Sequence, residues 1–172
     1  MNMSNSMGQK LIIISGSPCV GKTTVAECLL CSYENSAHLD DDWVWRVNPF
    51  LMDDPRHEIC IKNSAFVLSN YLESNFDYII FSSVRMISEL YREAIFKDIA
   101  LRNCSVIGVT LTCSEKTLTE RHKSRGDSGE VSFEWLNTEP CPGDFVIDTN
   151  NKTADQISDE IRNIVNTFRK DD

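Results

Sequence analysis

Residues 16–23 read Gly-Ser-Pro-Cys-Val-Gly-Lys-Thr, and this stretch decides the fold of the chain. It fills every fixed position of the pattern G-x-x-x-x-G-K-[ST], and it follows the apolar run Leu-Ile-Ile-Ile at residues 11–14. A buried strand, a glycine-containing loop and a helix in this order bring backbone N–H groups together around an anion. The sequence therefore predicts a phosphate-binding loop between a first strand and a first helix.

Each position of this loop has an expected role. The glycines allow the backbone to turn tightly, and the positive end of the following helix attracts phosphate. We expect Lys22 to be catalytic by reaching the β- and γ-phosphates of a nucleotide, and the Thr23 hydroxyl to be a ligand of Mg²⁺. The predicted nucleotide-contacting residues are Gly16, Ser17, Pro18, Cys19, Val20, Gly21, Lys22, Thr23 and Thr24. The alternative is a strand-to-helix turn that binds nothing.

The composition is that of an acidic globular protein. The 172 residues include 17 Lys and Arg against 26 Asp and Glu, which gives a formal net charge of −9. This length suits one domain, and the negative charge makes nucleic acid an unlikely partner because nucleic-acid affinity needs cations. The apolar runs are too short to span a bilayer, so no membrane partner is expected.

Cysteines and the N-terminal residues indicate location and boundaries. Seven cysteines, an odd number without paired spacing, favour reduced thiols and a cytoplasmic location. Residues 1–9 are polar, so we expect a disordered tail followed by a single domain over residues 10–172. The sequence leaves the oligomeric state undecided.

Strand and helix patterns alternate along the chain. Strand patterns occupy residues 10–15, 36–40, 78–81, 106–111 and 145–147, and helical patterns occupy residues 22–33, 89–101 and 114–125, with further helices opening at Pro55 and after Thr153. The helix after Pro55 has five candidate buried positions: Ile59, Ala65, Phe66, Leu68 and Leu72. This alternation predicts an α/β sandwich with a mainly parallel sheet of five strands.

Three consecutive aspartates follow the second predicted strand. Ligands of open parallel sheets lie at the carboxyl ends of the strands, so these residues should border the same cleft as the phosphate-binding loop. In an extended backbone, Asp40 and Asp42 point one way and Asp41 points the other. A carboxylate here can hold Mg²⁺ or accept a proton from an attacking hydroxyl, while the alternative is a solvated turn. Trp43 and Trp45 are candidates for a substrate-pocket wall or for core packing.

Four arginines are candidates for contacts with anions. Arg121 and Arg125 share one face of a predicted helix, before residues 126–129, which suggest the entrance to a mobile flap. Arginines near the γ-phosphate stabilise the transition state, although pairing with nearby glutamates is the alternative. Arg46 and Arg85 are candidates for binding an anionic group of the substrate or for structural ion pairs.

Four stretches resemble the small P-loop kinases related to adenylate, shikimate and gluconate kinases and to chloramphenicol phosphotransferase. They are residues 16–24, 39–46, 118–126 and 145–157, which together extend over nearly the whole chain. The resemblance implies a three-layer sandwich with a five-stranded parallel sheet in the order 2-3-1-4-5, a P-loop and a short lid. It also implies ATP and Mg²⁺ as cofactors.

The resemblance assigns roles to the aspartates. Asp40 and Asp42 match the D-x-D pair of shikimate-type kinases, in which one residue lies near Mg²⁺ and one contacts the acceptor hydroxyl. The third strand ends in Ser82 and Ser83 rather than in an aspartate. We therefore expect Asp40 to replace the missing Walker B acid as a metal ligand, and Asp42 to be the catalytic base.

The resemblance also extends to the nucleotide-binding side. Arg121 and Arg125 match the flap arginines, which implies a catalytic role for both and a nucleotide contact for Arg121. The loop over residues 149–153 matches the one that cradles adenine, which implies nucleotide contacts for Thr149 and Asn150.

The predicted function is ATP- and Mg²⁺-dependent phosphoryl transfer to a hydroxyl of a small molecule. The acidic triplet has few arginines around it, which favours a hydroxyl acceptor over a phosphate acceptor. The alternatives are a kinase of nucleoside monophosphates or of nucleic-acid 5′-hydroxyls, a non-catalytic ATP-binding regulatory module, and, ranked last, a GTPase.

Overall fold

Five parallel strands form the central sheet of this computed structural model, which describes residues 8–49, 51, 54–101, 103–126 and 129–168. The strands are β1 (Gln9–Gly16), β2 (Ser36–Asp40), β3 (Tyr78–Ser82), β4 (Cys104–Thr112) and β5 (Phe145–Asp148). Their order is β2-β3-β1-β4-β5, and every neighbouring pair is parallel. The predicted sheet order is therefore confirmed.

Helices cover both faces of the sheet. They are α1 (Lys22–Ser32), α2 (Glu58–Glu73), α3 (Glu89–Phe96), α4 (Glu115–Arg125) and α5 (Ala154–Thr167). Side chains of β1 alternate between the faces, as in any strand buried on both sides. Ile12 and Ile14 pack in the cluster that includes residues of α1 and α5, whereas Leu11 and Ile13 pack in the cluster that includes residues of α2 and α3. These two clusters form the core of a three-layer sandwich.

Local signals in the sequence set most of the helix starts. The Thr153 side chain accepts a hydrogen bond from the Gln156 backbone in a capping box before α5. Ser114 caps α4 in a similar way. Pro55 instead opens a short 3₁₀ helix (Pro55–His57), and α2 begins only at Glu58. The helix predicted over residues 89–101 ends at Phe96.

Two of the five buried positions predicted for α2 are wrong. Ile59 and Phe66 are 46% and 69% exposed, whereas Ala65, Leu68 and Leu72 are buried as predicted. The three buried residues recur at helical spacing on the face that packs against the sheet. Ile59 and Phe66 lie on the outer face, so an apolar residue type was an insufficient guide to burial.

Gln9 belongs to the first strand and not to the predicted tail. Its side-chain amide donates to the backbone carbonyls of Leu72 and Phe76, each at 2.9 Å. Gly8 is exposed, and residues 1–7 of the predicted disordered tail lie outside the described residues. Among the helices that the structure describes, none is both long enough and apolar enough to cross a bilayer.

Candidate active site

Two glycines shape the predicted phosphate-binding loop. Gly16 and Gly21 have φ angles of 130° and 108°, a region that side chains other than glycine rarely adopt. A Cβ atom at Gly16 would lie 2.3 Å from the carbonyl oxygen of Leu111, so no larger residue fits there. Cys19 is also left-handed, with a φ of 63°. The loop backbone therefore turns as a phosphate cradle requires.

The Lys22 ammonium lies over this loop. Its Nζ donates to the carbonyl oxygens of Gly16 and Ser17 at 3.0 and 2.9 Å. Burial lowers the pKa of Lys22 to about 8, an effect that the nearby Asp42 and Asp40 carboxylates oppose. A phosphate at the loop would supply the negative partner that favours the charged amine.

Asp40 stands where the sequence predicts a metal ligand. Its Oδ2 accepts hydrogen bonds from Thr23 Oγ1 at 2.7 Å and from Ser82 Oγ at 2.8 Å. Asp40 and Ser82 are register partners at the ends of β2 and β3. The carboxylate therefore comes from β2, whereas a Walker B acid would stand at the end of β3. The pairing of Asp40 with the Thr23 hydroxyl supplies oxygen ligands of the kind that Mg²⁺ prefers.

Asp41 points away from the cleft into a buried polar cluster, although it begins a 3₁₀ helix (Asp41–Trp43) and does not continue the extended strand that the prediction assumed. Ser64 Oγ donates to its Oδ1 at 2.8 Å, and Ser83 Oγ donates to its Oδ2 at 2.7 Å. Arg85 Nη2 and the Tyr91 hydroxyl also donate to Oδ2, at 3.0 and 3.1 Å. This carboxylate therefore joins α2, α3 and the end of β3 beneath the aspartate triplet.

The contacts of Arg85 fit the structural alternative considered for it. Its side chain is 27% exposed and pairs with Asp41, and its guanidinium lies 4.8 Å from the centre of the Tyr91 ring. A role in binding substrate stays a prediction for Arg85. Its charge is already largely balanced by Asp41.

Asp42 faces the cleft on the other side of the triplet. The residue is exposed, and its backbone N–H donates to Asp40 Oδ1 at 3.1 Å. Partial desolvation and the neighbouring Asp40 raise the pKa of Asp42, while Lys22 opposes the rise. A carboxylate with a raised pKa is a better proton acceptor than an ordinary surface aspartate.

Arg121 joins the phosphate-binding loop to the end of β5. Its Nη1 donates to the Val20 carbonyl and to Thr149 Oγ1, and its Nη2 donates to the Thr149 carbonyl, each at 2.9 Å. These contacts differ from the surface pairing with glutamates considered as the alternative. A guanidinium has five N–H donors, so Arg121 retains donors for a ligand.

Thr149 and Asn150 both make hydrogen bonds within the protein. Thr149 is fully buried and donates to the Thr112 carbonyl at 2.9 Å. The Asn150 side-chain carbonyl accepts a hydrogen bond from the Ser114 backbone at 3.1 Å. Their direct contact with a nucleotide stays a prediction, and Thr149 positions Arg121.

The segment after α4 is the predicted flap. Helix α4 ends at Arg125, the capping residue Gly126 has a φ of 79°, and residues 127 and 128 lie outside the described residues. Further along, three apolar side chains pack against the core cluster beside α1 and α5: Val131, Phe133 and Leu136. The described part of this segment is therefore anchored to the domain.

The nucleotide cavity, as we call the concavity around the loop, has a volume of about 700 Å³. Its lining includes residues 18–25 together with Asp40, Asp42, Ser83, Val84, Arg121, Arg125, Lys152, Ala154 and Ile157. Ala154 and Ile157 were not predicted from the sequence. The capping signal at Thr153 could have indicated them, because it begins α5 beside the predicted adenine loop.

A second cavity adjoins the first and has a volume of about 720 Å³. We call it the acceptor cavity, and its lining is Asp42, Trp43, Trp45, Arg46, Val47, Asn48 and Arg125. Asp42 and Arg125 line both cavities. The predicted base and one predicted cation therefore lie at the junction of the two spaces.

A protein-family model described as an AAA domain matches residues 12–138. The chain belongs to this AAA-domain family. The match begins in β1 and extends past α4, so it includes the phosphate-binding loop, the aspartate triplet and Arg121. None of the curated proteins matches the chain.

Solved structures share the fold of this AAA-domain chain. The tunicamycin resistance protein of Deinococcus radiodurans is 20% identical with a TM-score of 0.72, and the alignment covers 91% of this chain and 95% of that one. A gluconokinase from Sinorhizobium meliloti 1021 is 20% identical with a TM-score of 0.60, covering 90% and 89%. Shikimate kinase from Acinetobacter baumannii is 16% identical with a TM-score of 0.60, covering 95% and 97%. The resemblance to small P-loop kinases is thus confirmed for the fold.

Proposed function

We propose that this protein transfers the γ-phosphoryl group of ATP to a hydroxyl group of a small molecule, with Mg²⁺ as cofactor. The observation that carries the proposal is the junction at Asp42 and Arg125, which line both cavities. A nucleotide in one cavity and an acceptor in the other would meet at a carboxylate and a guanidinium. The similar fold of a gluconokinase and a shikimate kinase supports this assignment.

The residues around the loop suit ATP and Mg²⁺. The left-handed glycines and Lys22 would hold the phosphates, and Thr23 with Asp40 would hold the metal ion. When bound, Mg²⁺ neutralises charge on the phosphate oxygens. Asp40 supports a catalytic protein over a regulatory module, because it supplies the acid that the end of β3 lacks.

Asp42 would act as the general base. The acceptor oxygen bonds to the γ-phosphorus, the bond from that phosphorus to the bridging oxygen of ADP breaks, and the hydroxyl proton passes to the Asp42 carboxylate. Lys22 and Arg125 would stabilise the charge that develops on the transferred group. The raised pKa of Asp42 suits this proton transfer.

The net charge bears on the acceptor, and the cysteine count bears on the location. The formal net charge of −9 supports a small-molecule acceptor over nucleic acid. The odd number of cysteines supports a cytoplasmic location, which forms part of the proposal.

The proposal is tested by ADP release from Mg²⁺-ATP across a panel of sugars, sugar acids, nucleosides, nucleoside monophosphates and hydroxylated antibiotics. We expect at least one hydroxyl compound to stimulate ADP release and to gain a phosphate detectable by mass spectrometry. Lys22→Ala should abolish both signals. ATP binding without stimulation by any compound would instead favour the regulatory module.

A further inference from the structure

Trp43 presents an exposed aromatic face beside the predicted base. Its residue surface is 51% exposed, although tryptophan is usually among the more buried residue types. The indole lines the acceptor cavity directly after Asp42. A large ring left open to a cavity in this way offers a flat apolar surface to a ligand.

The Trp43 ring contacts a buried histidine ring. It contacts the His38 ring edge to face, with ring centres 5.0 Å apart and planes at 61°. The His38 ring is itself buried and lies within 3.0 Å of Ser82 Oγ. Trp43 also ends the 3₁₀ helix (Asp41–Trp43), whose first residue is fixed by the buried cluster around Asp41. The His38 contact and the 3₁₀ helix therefore place the indole beside Asp42 in this structure.

The charges in the acceptor cavity disfavour an anionic acceptor. Asp42 would lie beside any bound carboxylate or phosphate and would repel it. Arg125 also lines the nucleotide cavity, where the γ-phosphate requires a cation. Arg85 is paired with Asp41. Among the described residues, Arg46 is the cation that lines the acceptor cavity and not the nucleotide cavity. Recognition of a phosphate group commonly uses several such donors.

We infer, on the basis of the proposed function, that the acceptor is an uncharged hydroxylated ring compound that stacks on Trp43. The chemical class is a neutral sugar or a nucleoside without a phosphate or carboxylate group. The apolar face of the ring lies on the indole, and one hydroxyl points to Asp42. Trp43 is thus a specificity-determining residue for the acceptor.

A comparison of kcat/KM within matched pairs of compounds tests this inference. The probes are methyl glucoside against glucuronate, and uridine and adenosine against their 5′-monophosphates, each with Mg²⁺-ATP. We expect turnover with at least one uncharged member and at least tenfold lower kcat/KM with its charged partner. A preference for the charged partner, or turnover with none of the uncharged probes, overturns the inference.

Variants separate this inference from the proposed function. Trp43→Ala should raise the acceptor KM about tenfold or more, since ring stacking is lost, while the ATP Kd stays unchanged. Trp43→Phe should recover most of the loss, and Trp135→Phe, outside both cavity linings, should behave as the unmodified protein. An unchanged KM in Trp43→Ala overturns the stacking role alone. Turnover that survives in Lys22→Ala overturns the proposed function instead.

Discussion

The two cavities are built in different ways. The nucleotide cavity is shaped by a contiguous loop whose conformation depends on Gly16 and Gly21. The acceptor cavity is lined by side chains of residues 42–48 and by Arg125 from a distant helix. A site built from backbone can be recognised from a short pattern, whereas a site built from side chains changes its ligand with each substitution. The first therefore indicates the kind of reaction, and the second determines the acceptor.

The largest expected effect is at the junction of the cavities. Asp42→Asn removes the proton acceptor while it keeps the size of the side chain, so kcat should fall about 10²- to 10⁴-fold. The ATP Kd should stay the same or decrease, because a negative charge near the phosphates is lost. Steady-state kinetics and calorimetry measure the two quantities. Equal losses in kcat and ATP affinity would assign Asp42 to the nucleotide cavity alone.

The next effect concerns the support beneath the acceptor cavity. Asp41→Ala removes the acceptor of the Ser64, Ser83 and Arg85 hydrogen bonds, so the free energy of unfolding should fall by about 3 kcal/mol. Urea unfolding measures this loss. The control is Asp159→Ala, which breaks an exposed ion pair with Arg162 and should cost about 1 kcal/mol or less. Similar losses in both variants would mean that the Asp41 cluster contributes little.

A smaller effect concerns the support behind the nucleotide cavity. Arg121→Ala breaks three hydrogen bonds to Val20 and Thr149, so the unfolding free energy should decrease by about 1–3 kcal/mol. ATP affinity should also decrease, because the loop loses its tie to β5. Lys123→Ala, an exposed change on the same helix, serves as the control. If ATP affinity falls without any loss of stability, Arg121 acts only as a ligand.

The smallest effect is a pH dependence confined to the nucleotide cavity. The Lys22 pKa of about 8 in the unliganded protein means that the amine loses its proton as the pH rises past this value. Phosphate binding requires the charged form, so ATP affinity should fall above pH 8, by at most about tenfold per pH unit. Below pH 8 the contribution of Lys22 should be constant. Titrations from pH 6.5 to 9.5 measure the profile.

A matched variant identifies the group that titrates. Lys22→Arg keeps its charge throughout this range, because the arginine pKa is above 12. Whatever the size of its ATP affinity at about pH 7, the decline above pH 8 should disappear. Persistence of the decline in Lys22→Arg would assign the titration to another residue.

The aspartate triplet shows how far the sequence predicts this site. The prediction assumes an extended backbone through the triplet, but only Asp40 belongs to β2, and Asp41 and Asp42 lie in a 3₁₀ helix. The partners of Asp41 could not be predicted, because Ser64 and Tyr91 come from helices whose packing is not encoded in any local pattern. The same limit applies to Arg85, for which the sequence left substrate binding and an ion pair equally open.

The fold itself was more predictable than the site. Helix caps follow from local patterns and the strand order follows from the family resemblance, whereas burial on α2 depends on which face meets the sheet. Ile59 and Phe66 were wrongly expected in the core for this reason. Thr149 shows the corresponding limit in the cleft, since its position after β5 was predictable but its contact with Arg121 was not.

Calorimetric titration with Mg²⁺-ATP tests the central claim most directly, because it separates the two cavities without knowledge of the acceptor. The unmodified protein and Trp43→Ala should bind ATP with the same Kd, and Lys22→Ala should show no measurable heat. Equal binding by Lys22→Ala, or no binding by the unmodified protein, would contradict the assignment of the loop around Lys22 to a nucleotide.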